Sequence, residues 1–560
     1  VLKWLGRNLG LTTRSTHPLA TAESVAQVLA ELPSANTARA LQEIGDWLAL
    51  TDRADLSLGP RVAAIRRLDE AAQPLRTELW LEYLGCPPAH HRAEQTWFAL
   101  TSYAQHLYGA LIRVLREHYL PGRDQAGDTG TSALLAARAM AALMERKRLL
   151  RMRYRAVEPA LWSDAFELYQ AAVQQGIARR PLRLYPEHGA GRSLHAEFLA
   201  GMLFETAPVS GLNPVQMEYL DRVVHEFAGK FSFRESFDES TPFVIDYARA
   251  QGPQRCGGRL EPRMSQRFIG PGMSLHALIT LIKDLRRTRE LPPWLAIEGR
   301  PAVQECVNLL EKLMLHWSRN PPRRLHERQP LRQPLDVVHG YREIRRMIAG
   351  VHFLQRTAGG QGDELTREER EELSRFGYVS ERRDPAQLAE QERSRVRDMI
   401  DQQNRLLIQP FEMTDHSEFG LGALGAGQTG WLRVGMLLGL RWGAGEQWAA
   451  GVARRIARNA HNQVQLGVQL FPGSPECGRI GALDQRQVSV FERAHDPGVS
   501  VYFDAILLAE DNSVLVEPGV HVDNGRFRLV VAGRRSTIRF TQLLERGDDF
   551  ELVRFETLPD

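Results

Sequence analysis

"EMTDHSEFGLGALGAG", residues 412–427, decides how the last third of the chain is read. Just ahead of and into it, Leu407, Gln409, Phe411 and Met413 recur at every second position, so the backbone here is extended. Asp415-x-Ser417-x-x-Gly420 then sets a carboxylate, a hydroxyl and a residue without a Cβ into one small turn. Such a trio caps many hairpins with no ligand present. It also suits the edge of a nucleobase: a carboxylate accepts from ring N–H groups, and a glycine lets the backbone pass close to a ligand. Both readings are open on these residues alone.

Outward from that turn the period of two persists. "LRVGMLLGLRW" (432–442), "WAAGVARRIAR" (448–458) and "VQLGVQLF" (464–471) complete four short strands at the spacing of a small antiparallel barrel. Beyond "PGSPECGRIGALDQRQ" come "VSVYFDAILLAE", "SVLVEPG", "RFRLVVAG", "STIRFTQLLE" and "DFELVRFETL", enough for a second small β domain over 485–560.

Upstream the chain reads as helix. Leu41, Ile44 and Leu48 share one face, as do Leu100, Tyr103, Leu107, Leu111 and Val114. Residues 134–155 form another long helix candidate, apolar first, whose basic last turns complement the carbonyl end of the helix dipole. An all-α region over 1–230 is expected, then a mixed, mainly helical part over 231–335 with a strand at 243–247 and helices at 275–285 and 303–317. "SRNPPRRLHERQPLRQP" (318–334) carries four prolines and is expected to be irregular. Residues 336–403 read as a charged helical connector ahead of a barrel over 404–484.

The totals bound the function. At 560 residues, 43% hydrophobic and 25% charged, the chain is a multidomain globular protein. A net charge of +3 argues against a nucleic-acid polymer as partner. No window nears the roughly 18 uninterrupted apolar residues of a membrane span, and the basic start lacks a secretion signal's apolar run. Because the first residue is Val, an initiator Met was removed or lies upstream. Cys86, Cys256, Cys306 and Cys477 are scattered without CxxC spacing, which suits a reducing cytoplasm. Enzyme motifs do not assemble. "GAGRS" (189–193) lacks the spacing and lysine of a phosphate loop, and Glu187, His188, His195 and Glu197 match no HExxH pattern. Basic clusters at 146–155 and 323–332 read as exposed faces. No catalytic residue, no metal site and no cofactor is expected.

Residues 405–471 resemble a known family. Asp415-Ser417-Gly420 is followed by Leu432-Val434-Gly435-Leu438-Leu440, by Gly451-Val452-Arg454-Arg455-Ile456, and by Leu466-Gly467-Val468-Phe471. This order resembles the PilZ domain, the bacterial receptor module for cyclic di-GMP. The resemblance implies a PilZ-like six-stranded antiparallel β-barrel with cyclic di-GMP as ligand and Asp415, Ser417 and Gly420 in the site. It also implies guanidinium forks for the two phosphates, taken in the family mainly from an R-x-x-x-R just before the barrel. Arg393 and Arg397 supply that spacing, with Arg405, Arg454 and Arg455 as substitutes. In a strictly alternating strand Arg454 and Arg455 point to opposite faces, so one alone serves a given ligand. Glu418 departs from the family's habit; a second negative charge about 4 Å from a phosphate costs roughly 4 kcal/mol at an effective dielectric near 20.

The fold class expected is therefore α + β and multidomain: a large helical region, a PilZ-like barrel and a second small β domain. The function implied is that of a cytoplasmic bacterial regulator coupling cyclic di-GMP binding to a helical region that contacts an output protein. The alternative is an adaptor that keeps the barrel, binds no ligand and acts through protein contacts.

Overall fold

A computed structural model describes residues 17–51, 56–86, 90–119, 129–186, 191–257, 263–298, 303–319, 321, 328–358, 405–426, 429–443, 447–459, 461–483 and 502–559. The chain divides into two compact units, Val1–Arg323 and Arg324–Asp560.

In the first unit, apolar residues at helical spacing build α1 (Ala22–Ala30), α2 (Thr37–Leu50), α3 (Leu58–Gly85), α4 (His91–His118), α5 (Thr129–Met152), α6 (Pro159–Gln174), α7 (Leu194–Thr206) and α8 (Pro214–Phe227). Local chemistry sets their starts. Asn213 caps α8 by accepting from the Gln216 N–H, the Gln216 side chain returns the bond, and Pro214 fills the first turn. Helix α4 packs on α2, α3 and α5, burying Leu100, Tyr103, Leu107, Leu111 and Val114, the face expected from spacing. A four-stranded sheet follows in the order β1 (Ser232–Arg234), β4 (Gln266–Gly270), β2 (Phe243–Asp246), β3 (Gln254–Arg255). Helices α9 (Ser274–Thr288) and α10 (Val303–Trp317) close the unit.

The interior of this unit is unusually ionic. Asp69 is fully buried and accepts from Arg138 Nη1 at 3.0 Å, Tyr103 Oη at 2.7 Å, Gln73 Nε2 at 2.9 Å and Tyr185 Oη at 3.2 Å. Further along the same bundle His225 sits 3.4 Å from both Glu197 Oε2 and Asp221 Oδ2. Burial disfavours the imidazolium, but the Asp221 and Glu197 carboxylates overcome it and raise its pKa to about 10. A raised folded-state value makes the contribution complete below the unfolded pKa of about 6.5 and lost as pH climbs through about 10. The unfolding free energy of wild type should therefore exceed that of His225→Gln most at pH 6, by about 2 kcal/mol once solvent reaching the 22% exposed ring is allowed for, and its melting temperature should be higher accordingly. The gap should close by pH 10 to 11. Parallel pH profiles for the two proteins would refute this assignment.

The second unit holds two closed six-stranded antiparallel barrels. The first uses β5 (Gln329–His339), β6 (Gln409–Ser417), β7 (Gly420–Gly425), β8 (Leu437–Trp442), β9 (Ala449–Arg458) and β10 (Val464–Leu470). The second uses β11 (Glu476–Ala482), β12 (Tyr502–Leu508), β13 (Ser513–Val516), β14 (Arg526–Val531), β15 (Arg534–Arg546) and β16 (Glu551–Leu558). With strands counted one to six along the chain, the wall of each barrel runs 1-2-3-6-5-4. The tail is thus one fold used twice.

Three barrel strands differ from the sequence expectation, among them β7, whose "GLGALG" lies in the stretch read as a turn. β5 begins inside the stretch expected to be irregular, and precedes the segment expected as connector. Its Pro330 and Pro334 fall where β5 pairs with β6 alone; β8 joins only from Leu335 onward, so the missing N–H groups cost no ladder bond on the open side. β11 lies ahead of residue 485 and holds little apolar content because its neighbours leave no room. A Cβ on Gly478 would meet Val531 Cγ2 at 2.7 Å, and one on Gly481 would meet the Tyr502 ring at 2.9 Å.

Between β5 and β6 the chain forms α11 (Tyr341–Ala358), entered through Gly340 at φ +92°, where a Cβ would meet Glu343 Oε2 at 2.4 Å. Tyr341, Ile344, Met347 and Ile348 of α11 join Val338, Leu437, Trp448 and Val452 of the first barrel and Ile506, Leu515, Phe550 and Leu552 of the second in one apolar cluster. Tyr341 Oη donates to the carbonyls of Asp504 and Leu515 at 2.8 and 3.1 Å, and Arg345 pairs with Asp504 at 3.0 Å. The lumen of the second barrel is a separate core that includes Ile480, Phe527, Phe540 and Val553. Among the described residues no helix is long and apolar enough to cross a membrane.

Candidate functional site

The turn of residues 415–420 is the β6–β7 hairpin of the first barrel. Ser417 Oγ donates to the Gly420 carbonyl at 3.1 Å and closes it. Glu418 lies at its exposed tip. A register shift between Met413 and Asp415 turns Asp415 outward while Met413 stays buried.

From Asp415 one rung of residues crosses four strands: Asp415 faces Gly422, Gly422 faces Gly467, and Gly467 faces Arg455. Residues on one rung project to the same side. Here that side is the outside, because Leu421, Ala423, Leu466 and Val468 alternate into the core. The span from Asp415 to Arg455 is three strand spacings, about 14 Å. Its middle is backbone only. Cβ atoms would spoil it: one on Gly422 would sit 2.4 Å from Asp415 Oδ2, and one on Gly467 would sit 3.2 Å from Arg455 Cβ. The result is a smooth floor with a carboxylate at one end and a guanidinium at the other.

Arg328, the residue before β5, arrives at the acidic end. Its Nη1 donates to Asp415 Oδ1 at 2.5 Å, and its Nη2 lies 3.5 Å from where a Cβ on Gly420 would stand. Both side chains remain about a third exposed or less, 27% for Arg328 and 32% for Asp415. Arg328 also completes Arg324-Leu325-His326-Glu327-Arg328, an R-x-x-x-R directly before the first strand. The spacing was visible in the sequence; the prolines around it hid that a barrel strand starts at Gln329.

The other expected arginines are distributed as follows. Arg393 and Arg397 lie outside the described residues. Arg405 is exposed and enters β6 at the end away from Asp415, on the order of 20 Å along the strand at about 3.3 Å per residue. Arg454 and Arg455 do not alternate. Gly467 faces Arg455 and Val468 faces Ala453, so Arg454 is the extra residue of a bulge, and both arginines project outward between buried Ala453 and Ile456. Arg454 is already engaged: it forks onto Glu545 of the second barrel at 2.5 and 2.6 Å and donates to Gln469 at 2.8 Å. Arg455 is exposed beside the glycine floor. The face can therefore accept a ligand's N–H donors at Asp415 and bind its anionic oxygens at Arg328 and Arg455.

In the helical unit, His195 packs against Tyr169 and Phe233, Tyr169 stacks in turn on Phe198, and Tyr169 Oη lies 2.9 Å from His195 Nδ1. Burial first, then Arg179, lowers its pKa to about 4, so it stays neutral. Glu187 and His188 lie outside the described residues. No group of three or more His, Cys, Asp or Glu placed to hold a metal occurs among the described residues.

Comparison with known families bears on the helical unit. Residues 23–236 match the family described as "Cyclic-di-GMP receptor FimW, N-terminal domain". The match spans helices α1 to α8 and stops before the barrels, less than half of the chain. Nothing among curated proteins matches the chain.

Proposed function

We propose that the chain is a cyclic di-GMP receptor whose binding face is the outer wall of the first barrel. One observation carries this: the guanidinium of Arg328 lies on the Asp415 carboxylate and against Gly420, which joins an R-x-x-x-R to the D-x-S-x-x-G turn. Independent support comes from the similarity of residues 23–236 to the N-terminal domain of a cyclic di-GMP receptor. In the bound state a guanine lies on the floor of Gly422 and Gly467 and donates N1–H and N2–H to Asp415. Arg328, released from Asp415, turns its fork to a phosphate, and Arg455 takes the far side. Glu418, exposed at the hairpin tip, leaves the phosphates unopposed.

Coupling to the helical unit follows from chain order. Arg328 follows the start of the second unit by four residues, so a ligand held there is close along the chain to the helical region. The output is then a change in how the helical region meets a protein partner.

The floor gives a direct test. Gly467→Leu places a branched side chain on the rung between Asp415 and Arg455 without removing any polar group. Calorimetry, run well below the melting temperature of the variant, which the tight contact with Arg455 Cβ lowers, should show cyclic di-GMP affinity reduced at least about 30-fold, roughly 2 kcal/mol. Unchanged affinity would move the ligand off this face. No heat with wild type at high micromolar ligand would leave the adaptor reading, which the engagement of Arg454 by Glu545 favours.

A further inference from the structure

We infer that the second barrel carries a docking face for an acidic segment of a protein partner, on the outer wall of β11, β14 and β15. The argument begins from the repeated topology. In the first barrel, strands 1, 4 and 5 present Val338, Leu437 and Val452 outward, and that wall is covered by α11 and the second barrel. The second barrel meets this cluster with Ile506, Leu515 and Leu552, which lie on its strands 2, 3 and 6. The two copies therefore stack with unlike faces; Cys477 of β11 and Glu545 of β15 still touch α11 and the first barrel, and the part of the second copy's 1-4-5 wall beyond them, from Arg479 across β14 to Arg535 and Arg539, lies outside that cluster.

That part of the wall differs in chemistry from its counterpart. Arg526 faces Arg539 across β14 and β15, Val530 faces Arg535, and Arg479 of β11 faces Val530 from the other side. Arg528 lies between these rungs, opposite Thr537. All project outward, since the alternating Ile480, Phe527, Leu529, Val531, Ile538 and Phe540 fill the barrel core. Arg539 is paired with Glu556. Arg479, Arg526, Arg528 and Arg535 have no carboxylate partner among the described residues. An apolar docking wall in one copy is thus an arginine wall in the other.

The charge is segregated, not general. Residues 476–560 hold fifteen Asp and Glu against ten Arg and no Lys, and among the described residues of this net-acidic segment Arg479, Arg526, Arg528 and Arg535 lie on one face. Every cation on that face is arginine, whose planar fork matches carboxylates two oxygens at a time. A short acidic segment meets the patch alone. A membrane surface or a long nucleic acid would extend past it onto the surrounding carboxylates, and Tyr502, lying over Gly481, is a lone exposed ring where single-strand binding uses several. The proposal does not depend on the first barrel binding a nucleotide.

The test uses the full chain and labelled poly-L-glutamate as probe, read by fluorescence anisotropy at about 50 mM salt. Wild type should bind, and R526Q/R528Q/R535Q should bind at least about 10-fold more weakly with its melting temperature within a few degrees of wild type. R526E/R528E/R535E should lose binding. Equal affinity of wild type and the glutamine variant would overturn the proposal, because other basic surfaces would then account for the signal. So would wild-type binding to phosphatidylglycerol vesicles or oligo-dT in place of poly-L-glutamate.

Discussion

Arg328→Ala is expected to weaken cyclic di-GMP binding at least about 100-fold, to the point where calorimetry at high micromolar ligand records no heat. Two losses add. The phosphate fork disappears, and a charge-assisted bidentate contact contributes roughly 1.5–3 kcal/mol. The organisation of the acidic corner goes with it, because Arg328 is the cation that lies against Asp415 and Gly420. Arg328→Lys keeps the charge but not the planar fork, and should recover only part of the affinity. Arg405→Ala is the control: its position at the other end of β6 predicts no change. If Arg328→Ala binds as wild type while Arg405→Ala does not, the ligand lies at the opposite end of the barrel and the proposed site is wrong.

The second large effect concerns folding. Arg138→Met should destabilise the helical unit by about 3–5 kcal/mol, since it strips the compensating charge from a carboxylate with no route to water. Burial raises the Asp69 pKa and the Arg138 guanidinium opposes that rise, so losing the arginine drives Asp69 towards the protonated form. Arg138 also donates to Glu70 at 2.8 Å and to the Leu184 carbonyl, which ties α5 both to α3 and to the segment before α7. For a unit of this size the melting temperature should fall by about 10 °C. The double replacement Asp69→Leu with Arg138→Met should cost less than Arg138→Met alone, because no uncompensated charge remains. A double variant as unstable as the sum of the single ones would mean the pair acts through packing alone.

Much of this architecture could be read from the residues. The helices of the first unit announce themselves because their apolar positions recur at three and four, and the barrel strands β6, β8, β9 and β10 because theirs recur at two; β7, "GLGALG", is too rich in glycine to show a period. What escaped was written in glycine and proline. β11 needs glycine at 478 and 481 to admit Val531 and Tyr502, and so carries too few apolar residues to show a period. β5 tolerates Pro330 and Pro334 only because one edge of it is unpaired there, which is a fact of topology. With β5 hidden, an R-x-x-x-R ending at Arg328, directly ahead of the first barrel strand, carries no mark of its place in the sequence. The outward turn of both Arg454 and Arg455 depends on a bulge, and no spacing rule announces a bulge. The hairpin turn at 415–420 was legible; that Arg328 lies on Asp415, and that Arg454 and Arg455 both face outward, was not.

The helix between β5 and β6 fixes how the tail can respond. Because α11 is sealed on both sides by a common apolar cluster and pinned through Tyr341 and Arg345, neither barrel can swing against the other without opening a dry seam to water. A chain cut ahead of Glu476 would bare that seam and should aggregate. Any signal received on the first barrel is consequently handed on by a single stiff body, and the give in the protein must be sought elsewhere.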